Sequence, residues 1–176
     1  MKPLTTLILL VSLLAVAPKS YSQDTIAWKP NYKLKWADFK GQADSSSENV
    51  AITVANIGYS LSYNSSTYFI NVKCVFEKRK SWTKTADSAV LSHEQGHFDI
   101  SEIYARKLRK AFKEYVFNPK TIEADFKMIF NRIRDERRRY NELYDIETNS
   151  SRNRTMQVIW ENKIAEELKA LKAYAQ

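Results

Sequence analysis

Hydrophobic and polar residues alternate along two stretches in the first half of the chain, "AITVANIGYSLSYN" and "TYFINVKCVFE". Alternation with a period of two is typical of half-buried β-strands. The polar residues 64–66 between them predict a turn, so the two stretches predict an antiparallel hairpin that must pack against helices to be stable. The positions that share a face are Ile57, Tyr59, Leu61 and Tyr63 in the first stretch, and Ile70, Val72, Cys74 and Phe76 in the second.

The pattern changes to a helical period near residue 86. Apolar residues and two histidines then recur at steps of three or four, which predicts a helix that Thr85 or Asp87 caps and that ends at Asn118-Pro119. A second helix is predicted over about 120–144 and a third over about 154–174. The expected buried positions are Phe126, Ile129, Phe130 and Ile133 in the second helix, and Val158, Ile164, Leu168 and Leu171 in the third.

The order of these elements predicts the fold class. Strands at about 26–78 precede helices at about 86–174, which is typical of an α+β domain with an N-terminal antiparallel hairpin packed on about three C-terminal helices. A chain of 176 residues is enough for one domain. We therefore expect a single domain over residues 23–176.

Residues 1–22 have the composition of a cleaved signal peptide. Lys2 precedes an apolar run that is too short for a membrane span, and small residues follow it. No cysteine lies near the expected cleavage point, so we expect a secreted or periplasmic protein without a lipid anchor or a membrane span. The formal charge of +8 falls to +6 when Lys2 and Lys19 are removed with the leader. Cys74 is the single cysteine and is expected to be a buried apolar residue.

The first predicted helix carries the sequence "SHEQGH", which contains the pattern H-E-x-x-H. Four residues turn a helix by about 400°, so His93 and His97 lie one turn apart on the same face and can share one zinc ion. Glu94 is one step round the helix, where its carboxylate can take a proton from a zinc-activated water as a general base. The spacing therefore predicts a catalytic Zn²⁺ site.

A catalytic zinc ion needs a third protein ligand, and here either that ligand is a carboxylate or the site is weak. Both histidines of the chain are already used, and Cys74 lies in a predicted strand. Asp99 and Glu102 are too far round the first helix from the ligand face. Spacing does not choose among the downstream acidic residues, which are Glu123, Asp125, Asp135, Glu136, Glu142, Asp145 and Glu147.

Four motifs resemble a family of predicted secreted bacterial zinc-dependent proteases. They are "LKWADFKG" at 34–41, "KRKSW" at 78–82, "LSHEQGHFDISEIYARKLRK" at 91–110 and "YDIETNSSRNRTMQVIW" at 144–160. The last one is similar to a family motif with a histidine two residues after the threonine, where this chain has Ser150. The resemblance implies a metallopeptidase with Asp145 as the third zinc ligand and Glu147 as the alternative. Tyr144, or else Tyr140, is the expected hydrogen-bond donor to the oxyanion.

These features lead to one expected function and two rivals. The expected function is zinc-dependent hydrolysis of peptide or protein substrates, which the edge of the 52–76 hairpin would align by strand addition. The first rival is a non-catalytic secreted or envelope binding protein that keeps the fold, suggested by Ser150. The second is a binder of anionic polymers through the arginine-rich residues 132–139, although such a run most simply covers a solvated helix face. We expect no specific nucleic-acid partner, and the oligomeric state stays open.

Overall fold

A computed structural model describes residues 24–176 and has the predicted α+β order, with strands first and helices after them. The predicted leader, residues 1–22, lies outside the described residues. None of the helices in residues 24–176 has the length and apolarity needed to cross a bilayer. The strands are β1 Thr25–Ala27, β2 Ala51–Ile52, β3 Ala55–Tyr63, β4 Tyr68–Glu77 and β5 Trp82–Thr83, and the helices are α1 Ser88–Lys113, α2 Ile122–Thr148 and α3 Arg154–Ala170.

The predicted hairpin is confirmed. Strands β3 and β4 pair antiparallel, with Ile57 opposite Cys74 and Tyr59 opposite Val72, so the two apolar faces coincide as expected. The amide of Asn64 closes the turn by donating to the carbonyl of Thr67. Strand β1 adds to the other side of β4 and completes a three-stranded sheet.

The long helix α1 lies between the sheet and the other two helices. Its apolar side chains Ile100, Ile103 and Leu108 are completely buried. Phe112, near its C-terminal end, stacks on Phe126 of α2 with ring centroids 4.1 Å apart. Because α1 is packed on several sides, its N-terminal half holds its side chains in fixed positions.

The ends of the helices follow local sequence signals. Asp87 is the N-cap of α1, as predicted, and its carboxylate accepts hydrogen bonds from the amides of Ala89 and Val90. Helix α2 continues one turn beyond the predicted end at Tyr144, to Thr148. This extra turn carries Asp145 and fixes its direction.

The expected buried face of α3 is wrong at Val158, whose side chain is 56% exposed. Val158 and Ile164 are six residues apart, about 240° round a helix, so they lie on different faces. The inward face instead carries Gln157, Trp160 and Ile164. A polar residue therefore occupies a core position of α3, directly against α1.

A second, two-stranded sheet lies beside the N-terminal half of α1. Strand β2 pairs antiparallel with β5, and Ile52 is opposite Trp82. No other described strand pairs with β2, so its second edge stays open within residues 24–176. The polar residues 41–49, which precede β2, form a loop.

Candidate metal centre

The two histidines of α1 meet at their outer ring nitrogens. His93 and His97 lie one helical turn apart, with Nε2 of one ring 3.2 Å from Nε2 of the other. The ring centroids are 4.8 Å apart and the ring planes are nearly perpendicular. Both side chains are therefore aimed at one point in space.

Asp145 of α2 supplies an oxygen at the same point. Its Oδ1 lies 3.0 Å from Nε2 of His93 and 3.1 Å from Nε2 of His97. A tetrahedral zinc ion with bonds of about 2.0–2.1 Å holds its ligand atoms about 3.3 Å apart. Residues His93, His97 and Asp145 therefore form a group that could hold a metal ion with little rearrangement.

The inner nitrogen of His97 is held by Asn141, which fixes the tautomer of the ring. The amide nitrogen of Asn141 donates to the backbone carbonyl of Arg137, so its oxygen faces His97 at 2.7 Å from Nδ1. Nδ1 must then carry the proton, and the lone pair of Nε2 is left for a cation.

Gln157 of α3 does the same for His93. Its amide nitrogen donates to the Tyr144 hydroxyl and to Glu161, so its oxygen faces Nδ1 of His93 at 3.2 Å. Thr148 lies 3.4 Å from the same nitrogen. Both histidines are thus oriented by an oxygen acceptor at the inner ring nitrogen, as metal-binding imidazoles usually are.

Charge in the cluster favours a cation as well. Although burial opposes it, the neighbouring His93 and His97 rings hold the pKa of Asp145 well below its usual range. Burial lowers the pKa of His97, but the Asp145 carboxylate and the nearby Glu94 charge outweigh it and raise that pKa above its ordinary value. The cluster is therefore an anionic site that attracts positive charge, either a proton or a metal ion.

Glu94 is buried but has a free carboxylate oxygen. Its side chain is 4% exposed, and Oε2 has no hydrogen-bond partner among the described residues. A buried, unpaired carboxylate oxygen is costly and is usually explained by a function or a bound group. Glu94 lines the same cavity as the metal cluster, so its carboxylate lies beside the three ligand atoms.

The cavity in front of the cluster has a volume of about 750 Å³. One wall is formed by residues 48–53, which include β2, and the other by residues 150–152 after α2. His93, Glu94, His97 and Asp145 all line it. The cluster is therefore open to a ligand larger than an ion.

Tyr144 supports His93 from behind and is fully buried. Its ring stacks on the His93 ring with centroids 4.5 Å apart and planes 17° apart, and its hydroxyl donates to the His93 carbonyl. Tyr144 does not line the cavity, and the Tyr140 hydroxyl donates to Glu167 instead. This geometry corrects the expectation of a tyrosine that donates to the oxyanion, because neither hydroxyl is available to a substrate.

The alternative ligand Glu147 lies outside the cluster. Its Oε2 accepts a hydrogen bond from Trp160 Nε1 at 2.7 Å, and its side chain is two helical positions away from Asp145. Ser150 lines the cavity in a left-handed conformation, with φ of 46°, and contributes no atom to the cluster of ligands. Of the carboxylates that the sequence left open, Asp145 is the one brought to the two histidines.

Comparison with known families places the chain in a bacterial group. The profile described as "Bacterial protein of unknown function (DUF922)" matches residues 8–152. The chain belongs to this family. No curated protein and no solved structure matches the chain significantly. The description of the family assigns no activity. The comparison therefore supports the bacterial family in the resemblance, and the protease activity stays a proposal.

Sequence reasoning missed two functional residues of this site, Asn141 and Gln157. The family match includes Asn141 together with His93, His97 and Asp145, but it ends before Gln157. A signal for Gln157 was present in the motif "YDIETNSSRNRTMQVIW", where a glutamine follows the acidic segment. Asn141 carried no such signal, because a polar residue on a charged helix predicts solvent exposure.

Proposed function

We propose that the chain is a zinc-dependent metallopeptidase that hydrolyses peptide bonds in peptide or protein substrates. One observation carries the proposal: the three residues that supply the ligand atoms and the buried Glu94, whose carboxylate has an unpaired oxygen, line the same open cavity. A donor set of two imidazoles and one carboxylate suits Zn²⁺ and is the set found in many catalytic zinc sites. We also propose that the protein acts outside the cytoplasm, on the strength of the predicted leader.

The residues of the site have separate roles in this proposal. His93, His97 and Asp145 hold the ion, while Asn141 and Gln157 keep both rings in the binding tautomer. A bound zinc ion supplies Lewis acidity to the substrate carbonyl and to a water molecule. Glu94 accepts a proton at its free Oε2 and returns it to the leaving amine.

The open edge of β2 supports the binding of an extended substrate. The carbonyl of Val50 accepts a hydrogen bond from the Lys84 amide on the β5 side. Because successive residues of a strand direct their backbone groups to opposite edges, Ala51 and Thr53 direct theirs away from β5. Both residues line the cavity, so this edge is suited to pairing with a peptide backbone across from Glu94.

The proposal is tested first by zinc content and then by turnover. We expect one zinc ion per folded wild-type chain, none in Asp145→Ala, and full content in Glu147→Gln, in which the glutamine oxygen can still accept from Trp160. Glu94→Gln should keep its zinc and lose hydrolysis of a peptide library. Turnover by Glu94→Gln equal to that of wild type would remove Glu94 from the mechanism, and zinc-free wild type at neutral pH would end the proposal.

Ser150 keeps a second candidate function open, that of a binding protein without catalytic activity. It occupies the position where the resembled family has a histidine, and its side chain lines the cavity next to the cluster. This candidate predicts a full complement of zinc and no hydrolysis in either wild type or Glu94→Gln. Peptides would then bind to both proteins with the same affinity.

A further inference from the structure

A second cavity lies on the other side of the metal cluster. Its volume is about 620 Å³, and it shares Thr53, His97 and Asp145 with the first cavity. A ligand that crosses the cluster can therefore extend into both cavities. The far wall of the second cavity is part of helix α2, including three arginines of the run at residues 132–139.

The spacing along α2 explains why this part of the run reaches the site. Arg134, Arg137, Asn141 and Asp145 follow one another at steps of three or four residues, so they share one face of the helix. Asp145 and Asn141 point to the two histidines, and the arginines continue the same face away from them. The sequence interpretation of a fully solvated run therefore fails at Arg137, which is partly buried on this face.

Two of the three arginines in the cavity already have acidic partners. Arg138 lies 3.2 Å from Glu142, and Arg134 lies 3.5 Å from Asp135. All four side chains of these pairs are well exposed, and such pairs are weak and exchange partners easily. Asp135 and Glu142 therefore offset these two arginines, which leaves Arg137 and the candidate metal ligand Asp145 as the remaining charges of the cavity.

Arg137 has no acidic partner within the described part of the chain. Its Nη1 donates to the Ala55 carbonyl at 2.8 Å and to the Ser101 hydroxyl at 3.3 Å, and both acceptors are uncharged. The side chain is partly buried, and burial lowers the pKa of the guanidinium. A partly buried cation without a counter-charge attracts an anion more strongly than a fully exposed one does.

We propose that Arg137 forms a subsite for a carboxylate of the substrate, with Arg134 and Arg138 at its margins. This inference rests on the proposed function and specifies its substrate class: peptides that carry a negative charge near the bond to be cut. A guanidinium binds a carboxylate through two parallel N–H donors, and the nitrogens of Arg137 other than Nη1 have no partner in residues 24–176.

The helix geometry limits where that charge lies in the substrate. Arg137 and Asp145 are eight residues apart, which is about 12 Å along the helix axis. An extended peptide rises about 3.3 Å per residue, so the carboxylate lies within about four residues of the scissile bond. It belongs either to an acidic side chain or to the C-terminal residue of the substrate.

Binding of labelled peptides to zinc-loaded Glu94→Gln tests the subsite apart from hydrolysis. Matched short peptides with amidated ends carry glutamate or glutamine at one position, scanned across the length of the peptide, and fluorescence anisotropy gives Kd. We expect about tenfold tighter binding of the glutamate peptide at one position, as for a charged hydrogen-bonded pair. Equal Kd values for glutamate and glutamine at every position, together with equal Kd values for free-acid and amidated peptides at every length, would overturn the subsite.

Variants then assign the preference to Arg137. Adding Arg137→Gln to the Glu94→Gln protein should abolish the preference for glutamate. Adding Arg132→Gln instead should keep that preference, because Arg132 belongs to the same run but pairs with Glu136 outside the cavity. Since Arg137 also ties α2 to β3, Arg137→Lys provides a milder change that keeps the charge and loses the paired donors. If the preference for glutamate is unchanged in Arg137→Gln, the role of this residue is overturned. If Arg137→Gln does not fold, an unchanged preference in Arg137→Lys has the same consequence.

Peptides with a free or an amidated C-terminus separate the two sources of the carboxylate. Stronger binding of the free acid at one peptide length only would assign the subsite to the C-terminal carboxylate. A preference for glutamate within amidated peptides would assign it to a side chain. If the wild-type protein hydrolyses no peptide but the preference for a carboxylate persists, the proposed catalysis is rejected and the subsite is retained.

Discussion

The ring of Tyr144 lies directly against the backbone of Gly96, so a Cβ atom at residue 96 would be 2.7 Å from Cζ of the tyrosine. Gly96 is the residue before His97 in α1, and Tyr144 is the residue before Asp145 in α2. The close approach therefore sets the distance between the two helices at the point where their ligands meet. Any residue other than glycine at this position must displace the buried Tyr144 ring or push α2 away from α1.

The first prediction is that Gly96→Ala weakens both the fold and the metal site. The added methyl group overpacks the contact with Tyr144, which typically costs about 1–3 kcal/mol of unfolding free energy. The displaced helix also moves Asp145, so zinc affinity should fall. Thermal unfolding and a zinc titration measure the two effects.

Gly58→Ala is the matched control for that substitution. A Cβ atom at Gly58 of β3 meets nothing within 4 Å, so the same chemical change there should leave zinc affinity unaltered. Gly96→Ala with wild-type zinc affinity would contradict the idea that this contact sets the spacing of the ligands.

The second prediction concerns the support of His97 by Asn141. Asn141→Leu removes the acceptor from Nδ1, frees the tautomer and leaves the metal ligands themselves unchanged. Loss of such an outer partner usually lowers metal affinity about 10–100-fold. Competition with a chelator of known affinity measures the change. Glu142→Gln, one residue further along α2 and exposed, should bind zinc like wild type.

The third prediction is that zinc stabilises the folded chain. A ligand that binds the folded state alone adds about 2.7 kcal/mol at one hundred times its Kd, which corresponds to about 5–10 °C in Tm for a chain of this size. EDTA should reverse the shift. Asp145→Ala should show no shift, and Glu147→Gln should show the full shift; the opposite result would exchange the roles of the two carboxylates.

The fourth prediction concerns pH and the cap of α1. The hydrogen bonds from the amides of Ala89 and Val90 hold the pKa of Asp87 below its usual range. The unfolded carboxyl group titrates near a pKa of about 3.9, so the stabilisation is complete above that pH and is lost as the pH falls through the lower folded pKa. Tm measured from pH 7 to pH 2 reports this loss.

Substitutions at Asp87 separate its hydrogen bonds from its charge. Asp87→Ala removes both and should lower Tm by about 2–4 °C at pH 7. Asp87→Asn keeps an acceptor for the amides without an ionisable group. Its Tm should stay near that of wild type at pH 7 and should fall less below pH 4. A steeper fall than in wild type would contradict the assignment.

The parts of the molecule that depend on local pattern were predictable. Strand alternation fixed which sides of β3 and β4 meet, and helical spacing placed His93 and His97 on one side of α1. The position of Asp145 was not accessible in that way, because it depends on how α2 crosses α1 at Gly96. The resemblance selected Asp145 where spacing alone left seven carboxylates open.

The errors have a common physical cause. Val158 was expected inside because it is apolar, but Gln157 takes the inward position since its oxygen orients His93. Arg137 was expected in solvent with the rest of its run, but its helix face continues that of Asn141 and Asp145. In both cases a polar residue occupies a position next to the site, where function outweighs the usual preference for burying apolar groups.

The partners that orient His93 and His97 come from distant parts of the chain, 44 residues away for Asn141 and 64 for Gln157. A search for H-E-x-x-H alone detects neither of them. Relatives of this protein are therefore better sorted by a joint signature that adds the asparagine, aspartate and glutamine of the second and third helices. Chains that keep the five-residue pattern but lack those three residues are expected to bind a metal ion at this position much more weakly.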